Sequence, residues 1–346
     1  MLIDEFVSEP TGIVAVLMAH GKGLLAADES TPTITSRFKP FAIEPTVENQ
    51  RRYRQLLFTT PGIESYISGV ILFDETIRQH ADDGRTFVEV LTERGIIPGI
   101  KVDQSTTPLA GSPDERITEG LDGLRERLEE YRKLGARFAK WRGVINIGDG
   151  RPTSYAIDTN AHALARYAAL CQEAGLVPIV EPEVLMDGDH SLDRAFDVTE
   201  ATLERVFTAL REQNVVLDHM LLKPSMVLPG ASSAEKASIE EVAEATVRCL
   251  RRTVPAAVPG IVFLSGGQAP KVATAHLNAI NTMAQDQPWQ LSFSFARALQ
   301  EPALDVWRGD SANVSGAQRA FLHRARCNGA AREGRYTPEL EAEARR

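Results

Sequence analysis

The sequence has little cysteine and no long hydrophobic run. Only 3 of its 346 residues are cysteines, and Cys171, Cys249 and Cys327 form neither a close pair nor a metal-ligand spacing. This usage excludes a disulfide framework and is typical of reduced thiols in a cytosolic protein. The apolar stretch at residues 12–19 is far shorter than the roughly 20 residues of a membrane-spanning helix. It predicts a buried turn of helix instead.

Basic residues are scarce relative to acidic ones. The chain has 38 Lys and Arg against 47 Asp and Glu, a formal net charge of −9, and no dense basic run. Because binding to a phosphate backbone needs a basic face, these counts disfavour a nucleic-acid partner. The first ten residues include Asp4, Glu5 and Glu9 but no Lys or Arg, which is wrong for a signal peptide. We therefore expect a cytoplasmic protein with no membrane partner.

The overall composition is that of an ordinary globular protein, with 43% hydrophobic and 25% charged residues. The length favours either about two domains or one large α/β barrel. No stretch rich in Pro, Gly and Ser divides the chain in two. The sequence therefore predicts a single domain over residues 1–346.

Short apolar or β-branched runs alternate with segments of helical period. Helical spacing of apolar residues is clear in 121–134 and in 161–174, where Gly175 supplies the stop. Alternating strands and helices predict a parallel sheet, and eight units predict closure into a (β/α)8 TIM barrel of class α/β. A doubly wound open sheet is the alternative. The predicted strands are residues 23–27, 69–73, 96–102, 138–145, 177–184, 220–227, 261–264 and 290–295.

Charged residues cluster at the ends of several predicted strands, although barrel strands are buried on both faces and a charge there is costly. Strand side chains alternate, so Lys140 shares a face with Arg142, and Glu181 with Glu183. Pro182 and Pro224 fit strand ends, where a ladder frays. If these faces point into the barrel, the charges converge at one mouth. They are Asp28, Lys101, Asp103, Lys140, Arg142, Glu181, Glu183 and Lys223.

Such a cluster suits covalent chemistry at a carbonyl group. A lysine beside a second ammonium group in a dry site has a lowered pKa, so its free amine can form a Schiff base. A neighbouring glutamate can carry protons on and off the carbinolamine if its pKa is raised. Together these groups indicate imine-mediated making or breaking of a C–C bond. The alternative is structural, with Glu181 and Glu183 simply neutralising Lys140 and Arg142.

Two further segments resemble phosphate sites. In Leu264–Gln268 the glycines Gly266 and Gly267 let backbone N–H groups approach an anion. Ser294–Arg297 closes the last predicted strand, and Arg297 offers the planar guanidinium that suits phosphate. Loops after the last two strands are the usual phosphate site of this barrel, although Ser-Gly-Gly alone is often only a turn.

These segments together resemble the class I fructose-bisphosphate aldolases, a family of (β/α)8 barrels that act through a lysine Schiff base. The resemblance extends from about Asp4 to Pro338. The motifs that carry it are Gly21–Ser30 (GKGLLAADES), Phe138–Arg142 (FAKWR), Val180–Glu183 (VEPE), Leu221–Pro224 (LLKP) and Phe263–Gln268 (FLSGGQ).

The resemblance implies reversible cleavage of fructose 1,6-bisphosphate in glycolysis and gluconeogenesis, without metal or other cofactor, by a homo-oligomer that is commonly a tetramer. It implies that Lys223 forms the Schiff base, that Glu181 transfers protons and that Asp28 takes the C4 hydroxyl proton, with Lys140 and Glu183 assisting. The implied phosphate ligands fall into two sets. Ser265, Gly266, Gly267, Arg297, Ser294 and Arg37 would hold the C1 phosphate, and Lys101, Arg142 and Ser30 the other.

The sequence departs from the family pattern in three places. Thr33 and Ala296 replace a common Ser and Gly, and both changes are mild. Many relatives end in a tyrosine that aids enamine protonation, whereas the last aromatic residue here is Tyr336. We expect residues 330–346 to form a short charged tail, with a carboxylate or water in place of that tyrosine.

Three other functions fit parts of the pattern. A metal-dependent aldolase would need clustered histidines, and the 7 histidines are scattered along the sequence. Another Schiff-base lyase, such as a transaldolase, would act on a monophosphate and not need two anion sites. A catalytically inactive barrel would not need every residue of the covalent step.

Overall fold

A computed structural model describes residues 9–284 and 286–343. The acidic positions 4 and 5 and the last three residues of the predicted tail, 344–346, lie outside the described residues. Among the described residues, no helix is both long and apolar enough to cross a bilayer. The three cysteines are buried and unpaired, as the sequence predicts.

Eight parallel strands close into a barrel, in the order β1-β10-β9-β8-β7-β6-β3-β2. Pairing of β1 with β10 closes the ring, so the (β/α)8 prediction is confirmed and the open-sheet alternative is wrong. The strands β4 and β5 form a separate antiparallel hairpin between β3 and β6. The strand bounds are β1 Gly23–Ala27, β2 Ile67–Leu72, β3 Ile97–Lys101, β4 Thr106–Leu109, β5 Ser112–Thr118, β6 Phe138–Ile145, β7 Val177–Val184, β8 Leu221–Leu222, β9 Gly260–Phe263 and β10 Gln290–Phe295.

Helices follow the barrel strands and cover them. The helix bounds are α1 Pro10–Leu17, α2 Thr31–Phe38, α3 Val47–Phe58, α4 Asp74–Ile77, α5 Phe87–Thr92, α6 Leu124–Lys133, α7 Ser154–Glu173, α8 Leu192–Glu212, α9 Ile239–Thr253, α10 Pro270–Met283, α11 Arg297–Trp307, α12 Val314–Arg332 and α13 Pro338–Ala342. Single 3-10 turns occur at Lys39–Phe41, Ile63–Ser65, Leu217–His219 and Ser311–Asn313. The helices predicted within 121–134 and 161–174 are present as α6 and α7, and the stop at Gly175 has a φ of +71°. The predicted buried helix at 12–19 is α1.

The amino-terminal end of the barrel is filled by apolar side chains. Leu17 of α1 packs in one buried cluster with Phe138 and Val177, which begin β6 and β7. A Cβ atom on Gly69 would lie 2.6 Å from Leu17, so glycine at this position of β2 lets the leucine side chain fill the barrel. This end is therefore a packed floor, and the charged residues are left to the opposite end.

One strand is much shorter than predicted. The run 220–227 contains only a two-residue strand, because Pro224 cannot donate to a ladder and the chain turns away after Leu222. Pro182 lies within β7, but in the part that pairs with β6 alone, since the register with β8 ends at Val180. The hairpin β4–β5 was not predicted.

Candidate active site

A cavity of about 920 Å³ opens at the carboxyl ends of the barrel strands. Every site residue predicted from the sequence lines it, and each comes from a barrel strand, from the segment that follows one or, for Arg37 and Arg297, from the helix after one. They are Asp28, Ser30, Arg37, Lys101, Lys140, Arg142, Glu181, Glu183, Lys223, Ser265, Gly266, Gly267, Ser294 and Arg297.

A continuous row of contacting charged side chains lines the buried part of this cavity. Lys223 Nζ lies 3.0 Å from Glu181 Oε1, and Glu181 Oε2 lies 3.1 Å from Lys140 Nζ. Lys140 Nζ is in turn 2.8 Å from Asp28 Oδ2. All four residues are less than 9% exposed. Protons can therefore pass between the two lysines through a carboxylate that touches both.

Neighbouring charges set the protonation of these carboxyl groups. Burial raises the pKa of Asp28, but the ammonium groups of Lys140 and Lys223 lower it by more, and the resulting pKa is well below its usual range. Burial likewise raises the pKa of Glu181, and Lys140, Lys223 and Arg142 together lower it below its usual value. The sequence pattern predicts that the pKa of the proton-transferring glutamate is raised. This prediction is wrong for the free protein, because three cations surround Glu181. Burial lowers the pKa of Lys140, but Asp28, Glu181 and Asp103 raise it by more.

At one end of the cavity, the side chains predicted to bind a phosphate of the substrate are held by ion pairs. Arg142 donates from Nε to Glu183, and Lys101 Nζ lies 2.8 Å from Asp103 Oδ1. Asp103 Oδ2 is also 3.7 Å from Lys140 Nζ. The ion pair of Glu183 with Arg142 that the structural alternative predicts is therefore present. Both residues nevertheless line an open cavity.

The opposite end has the features of an anion site. Gly266 and Gly267 have φ values of +55° and +89°, which turn the loop after β9 toward the cavity. The buried hydroxyl of Ser294 lines the cavity and has no hydrogen-bond partner among the described residues. Arg297 begins α11, so the positive end of that helix also faces this region.

The sequence places Asp103 at the mouth without indicating its role, and it does not identify two further residues of the site. Glu29 is the charged neighbour of Asp28; it pairs with Arg37, and its Oε2 lies 2.6 Å from Arg54 Nη2. Arg116 lines the cavity from the hairpin β4–β5. Alternation of side chains places Glu29 on the face opposite Asp28, and nothing local in the sequence places Arg116 at the mouth.

A second group of polar side chains lies away from this cavity. His323, Cys327 and Glu341 have potential ligand atoms within 4.8 Å of one another. Both oxygens of Glu341 lie 2.7 Å from Arg324 Nη1, and the carboxylate also accepts from the Tyr336 hydroxyl at 2.8 Å. A carboxylate already held by a guanidinium is a poor metal ligand, so we read the group as a structural contact between α12 and α13.

The chain is similar to known proteins over nearly its whole length. A family model described as "Fructose-bisphosphate aldolase class-I" matches residues 9–346. A "Probable fructose-bisphosphate aldolase class 1" of Xylella fastidiosa is 60% identical over 321 residues, covering 92% of this chain and 96% of the relative. The "Fructose-bisphosphate aldolase 4, cytosolic" of Arabidopsis thaliana is 53% identical, covering 94% of this chain and 83% of the relative.

A solved structure is also similar. Fructose-bisphosphate aldolase of Plasmodium falciparum, in a complex with TRAP and a small molecule inhibitor, superposes with a TM-score of 0.94. That chain is 47% identical, and the match covers 96% of both chains.

Proposed function

The chain belongs to the class I fructose-bisphosphate aldolase family, and from this premise we propose that Lys223 is its Schiff-base lysine. The enzyme is a lyase that reversibly cleaves fructose 1,6-bisphosphate into dihydroxyacetone phosphate and glyceraldehyde 3-phosphate. The observation that carries the assignment of Lys223 is its contact with Glu181, whose other oxygen touches Lys140.

Imine formation begins with a proton transfer along that contact. Glu181 is a carboxylate in the free protein and accepts a proton from Lys223 Nζ over 3.0 Å. This single transfer creates both the neutral amine that attacks the C2 carbonyl and the acid that protonates the departing hydroxyl of the carbinolamine. The products are water and a protonated imine. Lys140 remains an ammonium and stabilises the returning carboxylate.

Cleavage of the C3–C4 bond then needs a base at the C4 hydroxyl. Asp28 is ionised at neutral pH because two lysines lower its pKa, and its Oδ2 lies 2.8 Å from Lys140 Nζ. It accepts the hydroxyl proton as the C3–C4 electron pair moves into the imine. Glyceraldehyde 3-phosphate leaves, and the enamine is protonated at C3 and hydrolysed to dihydroxyacetone phosphate.

Phosphate binding follows from the cations at the two ends. We assign the C1 phosphate to Ser265, Gly266, Gly267 and Arg297, with Ser294 and Arg37 completing that end. The unpartnered Ser294 hydroxyl and the start of α11 support the assignment. Lys101, Arg142 and Ser30 are assigned to the other phosphate, and Glu183 orients Arg142.

Borohydride reduction in the presence of dihydroxyacetone phosphate tests the assignment of Lys223. Reduction converts the imine to a stable secondary amine, and peptide mass mapping then locates it. We expect the adduct on Lys223 and on no other lysine. An adduct on Lys140 or Lys101, or none, would overturn the mechanism.

The remaining proposals concern the whole protein. We propose that residues 1–346 form one barrel domain with a tail at 330–346, although α12 extends to Arg332, inside that range. Limited proteolysis should then cut near the tail before the barrel.

We also propose a homo-oligomer, with four subunits by family resemblance, and a cytoplasmic location. Light scattering and cell fractionation test these two.

A further inference from the structure

The cavity lining carries more positive than negative side chains. Seven are cationic, namely Arg37, Lys101, Arg116, Lys140, Arg142, Lys223 and Arg297, and five are carboxylates, namely Asp28, Glu29, Asp103, Glu181 and Glu183. Five of the cations lie within 4 Å of one or more of those carboxylates. Over residues 9–284 and 286–343, the structure gives Arg116 and Arg297 no carboxylate partner within that distance.

The two unpaired arginines lie on opposite sides of the mouth. Arg297 follows β10, whereas Arg116 belongs to the hairpin inserted between β3 and β6. In the ring of eight strands, β6 is four places from β10 in either direction. An excess of two cations, one on each side, matches a substrate with one phosphate at each end.

The hairpin holds Arg116 in place through its neighbours. Glu115 is 1% exposed, and its carboxylate accepts from the Thr153 N–H at 2.8 Å and the Thr153 hydroxyl at 2.6 Å. The Arg116 carbonyl accepts from Asn160 Nδ2 at 2.8 Å. These contacts tie β5 to the start of α7, so the segment is fixed before any ligand arrives.

The direction of the Arg116 side chain follows from strand alternation. Thr118 lies two residues along β5, on the same face, and its hydroxyl donates to the Arg142 carbonyl at 2.7 Å. Arg116 therefore extends toward the end of the cavity that holds Arg142 and Lys101. Unlike those two, it is exposed, with a guanidinium that no described carboxylate neutralises.

We infer that Arg116 is a further substrate-binding residue, which contacts the phosphate on C6 and favours bisphosphates over monophosphates. This inference rests on the proposed placement of the two phosphates. A guanidinium forms charge-assisted hydrogen bonds with phosphate oxygens, and an unpaired one need not give up a protein carboxylate to do so. Arg116 acts on substrate affinity and selectivity, and it takes no part in the bond-breaking step.

Steady-state kinetics of Arg116→Ala on two substrates test the inference. Fructose 1-phosphate lacks the C6 phosphate, so it reports on every other part of the site. We expect the KM for fructose 1,6-bisphosphate to rise about three- to tenfold, as suits an exposed charged contact, with kcat nearly unchanged. The KM and kcat for fructose 1-phosphate should stay at wild-type values.

Two further variants sharpen the result. Arg116→Lys keeps the charge but not the fork, and it should recover part of the lost affinity. Arg125→Ala removes one positive charge from an arginine of α6 that pairs with Glu173 and does not line the cavity, and it should change neither KM. An unchanged KM for the bisphosphate in Arg116→Ala, or an equal rise for both substrates, would overturn the inference. The comparison is independent of which lysine forms the imine, so failure here is distinguishable from failure of the Lys223 assignment.

Discussion

Lys223 directly follows β8, and its Nζ lies 3.0 Å from Oε1 of Glu181 on the neighbouring strand β7, with both side chains about 5% exposed or less. The pair is closer than a water molecule could bridge, so proton transfer between them is direct. The same carboxylate also contacts Lys140, which keeps it ionised in the free enzyme. In the proposed mechanism, the first chemical step thus depends on a carboxylate shared between two lysines.

Replacing Glu181 with Gln should slow imine formation. The amide has nearly the same shape but cannot accept a proton, so we expect kcat to fall about 10²- to 10⁴-fold. The rate of borohydride-trappable imine formation should fall with it. Glu173→Gln, at an exposed position of α7, is the matched control. A kcat within twofold of wild type would remove Glu181 from the mechanism.

Replacing Asp28 with Asn should separate two half-reactions. Cleavage of fructose 1,6-bisphosphate needs a base at the C4 hydroxyl, so we expect its rate to fall by at least about 10²-fold. Exchange of the methylene proton of dihydroxyacetone phosphate involves no C3–C4 cleavage and should be affected much less. Both rates can be measured on one preparation. Equal losses in the two would contradict the assigned role.

Replacing Glu29 with Gln should destabilise the fold more than it alters chemistry. Glu29 is the counter-ion of buried Arg54 and also pairs with Arg37, and an unpaired buried charge costs about 3–5 kcal/mol. Burial raises the pKa of Glu29, but Arg37 and Arg54 lower it by more, below its usual value. The carboxylate therefore stabilises the fold above its unfolded pKa, and this is lost as the pH falls through the folded pKa.

The gap in melting temperature between wild type and Glu29→Gln should accordingly be large at neutral pH and shrink in acid. The double variant Glu29→Gln/Arg54→Met removes both charges, and it should lose less stability than the two single changes added together. A gap that stays constant down to pH 3 would refute this account of Glu29.

Replacing His276 with Asn should change the acid stability of the enzyme. His276 is 4% exposed, its Nδ1 lies 2.6 Å from Gln268 Oε1, and burial lowers its pKa to about 4. Between about pH 6.5 and pH 4 the unfolded chain binds a proton that the folded chain does not. The stability of the wild-type protein therefore decreases as the pH is lowered through this range. The contribution is at most about 3 kcal/mol.

The variant keeps an N–H donor and lacks the titration. We therefore expect its chemical unfolding free energy to fall less steeply from pH 7 to pH 4.5 than that of wild type. Parallel curves for the two proteins would show that His276 titrates as in an unfolded chain.

The tail should contribute more to stability than to proton transfer. None of the described residues after Arg297 lines the cavity, and Glu341 binds Arg324, which is 3% exposed. A chain ending at Tyr336 should melt at a lower temperature, because Arg324 loses its partner. Its rate of methylene proton exchange, measured below that temperature, should be close to wild type. A large loss of exchange would show that the tail takes part in enamine protonation.

The sequence predicts those parts of the molecule that depend on local spacing. Lys140 and Arg142, or Glu181 and Glu183, share a face because strand side chains alternate, and a barrel then brings all four to one cavity. The hairpin Thr106–Thr118 escapes prediction because Glu115 anchors it to Thr153, 38 residues away. The lowered pKa of Glu181 is similarly non-local, since its cations come from β6 and the end of β8.

The apolar floor formed by Leu17, Phe138 and Val177 determines how substrate and products enter and leave the enzyme. A closed floor leaves the mouth as the route for both products, and the ketone half stays tethered to its lysine until the aldehyde has gone. Water that hydrolyses the tether must enter past the same phosphate ligands. The architecture therefore orders product release. The aldehyde leaves first, and dihydroxyacetone phosphate is released only after water has entered the cavity.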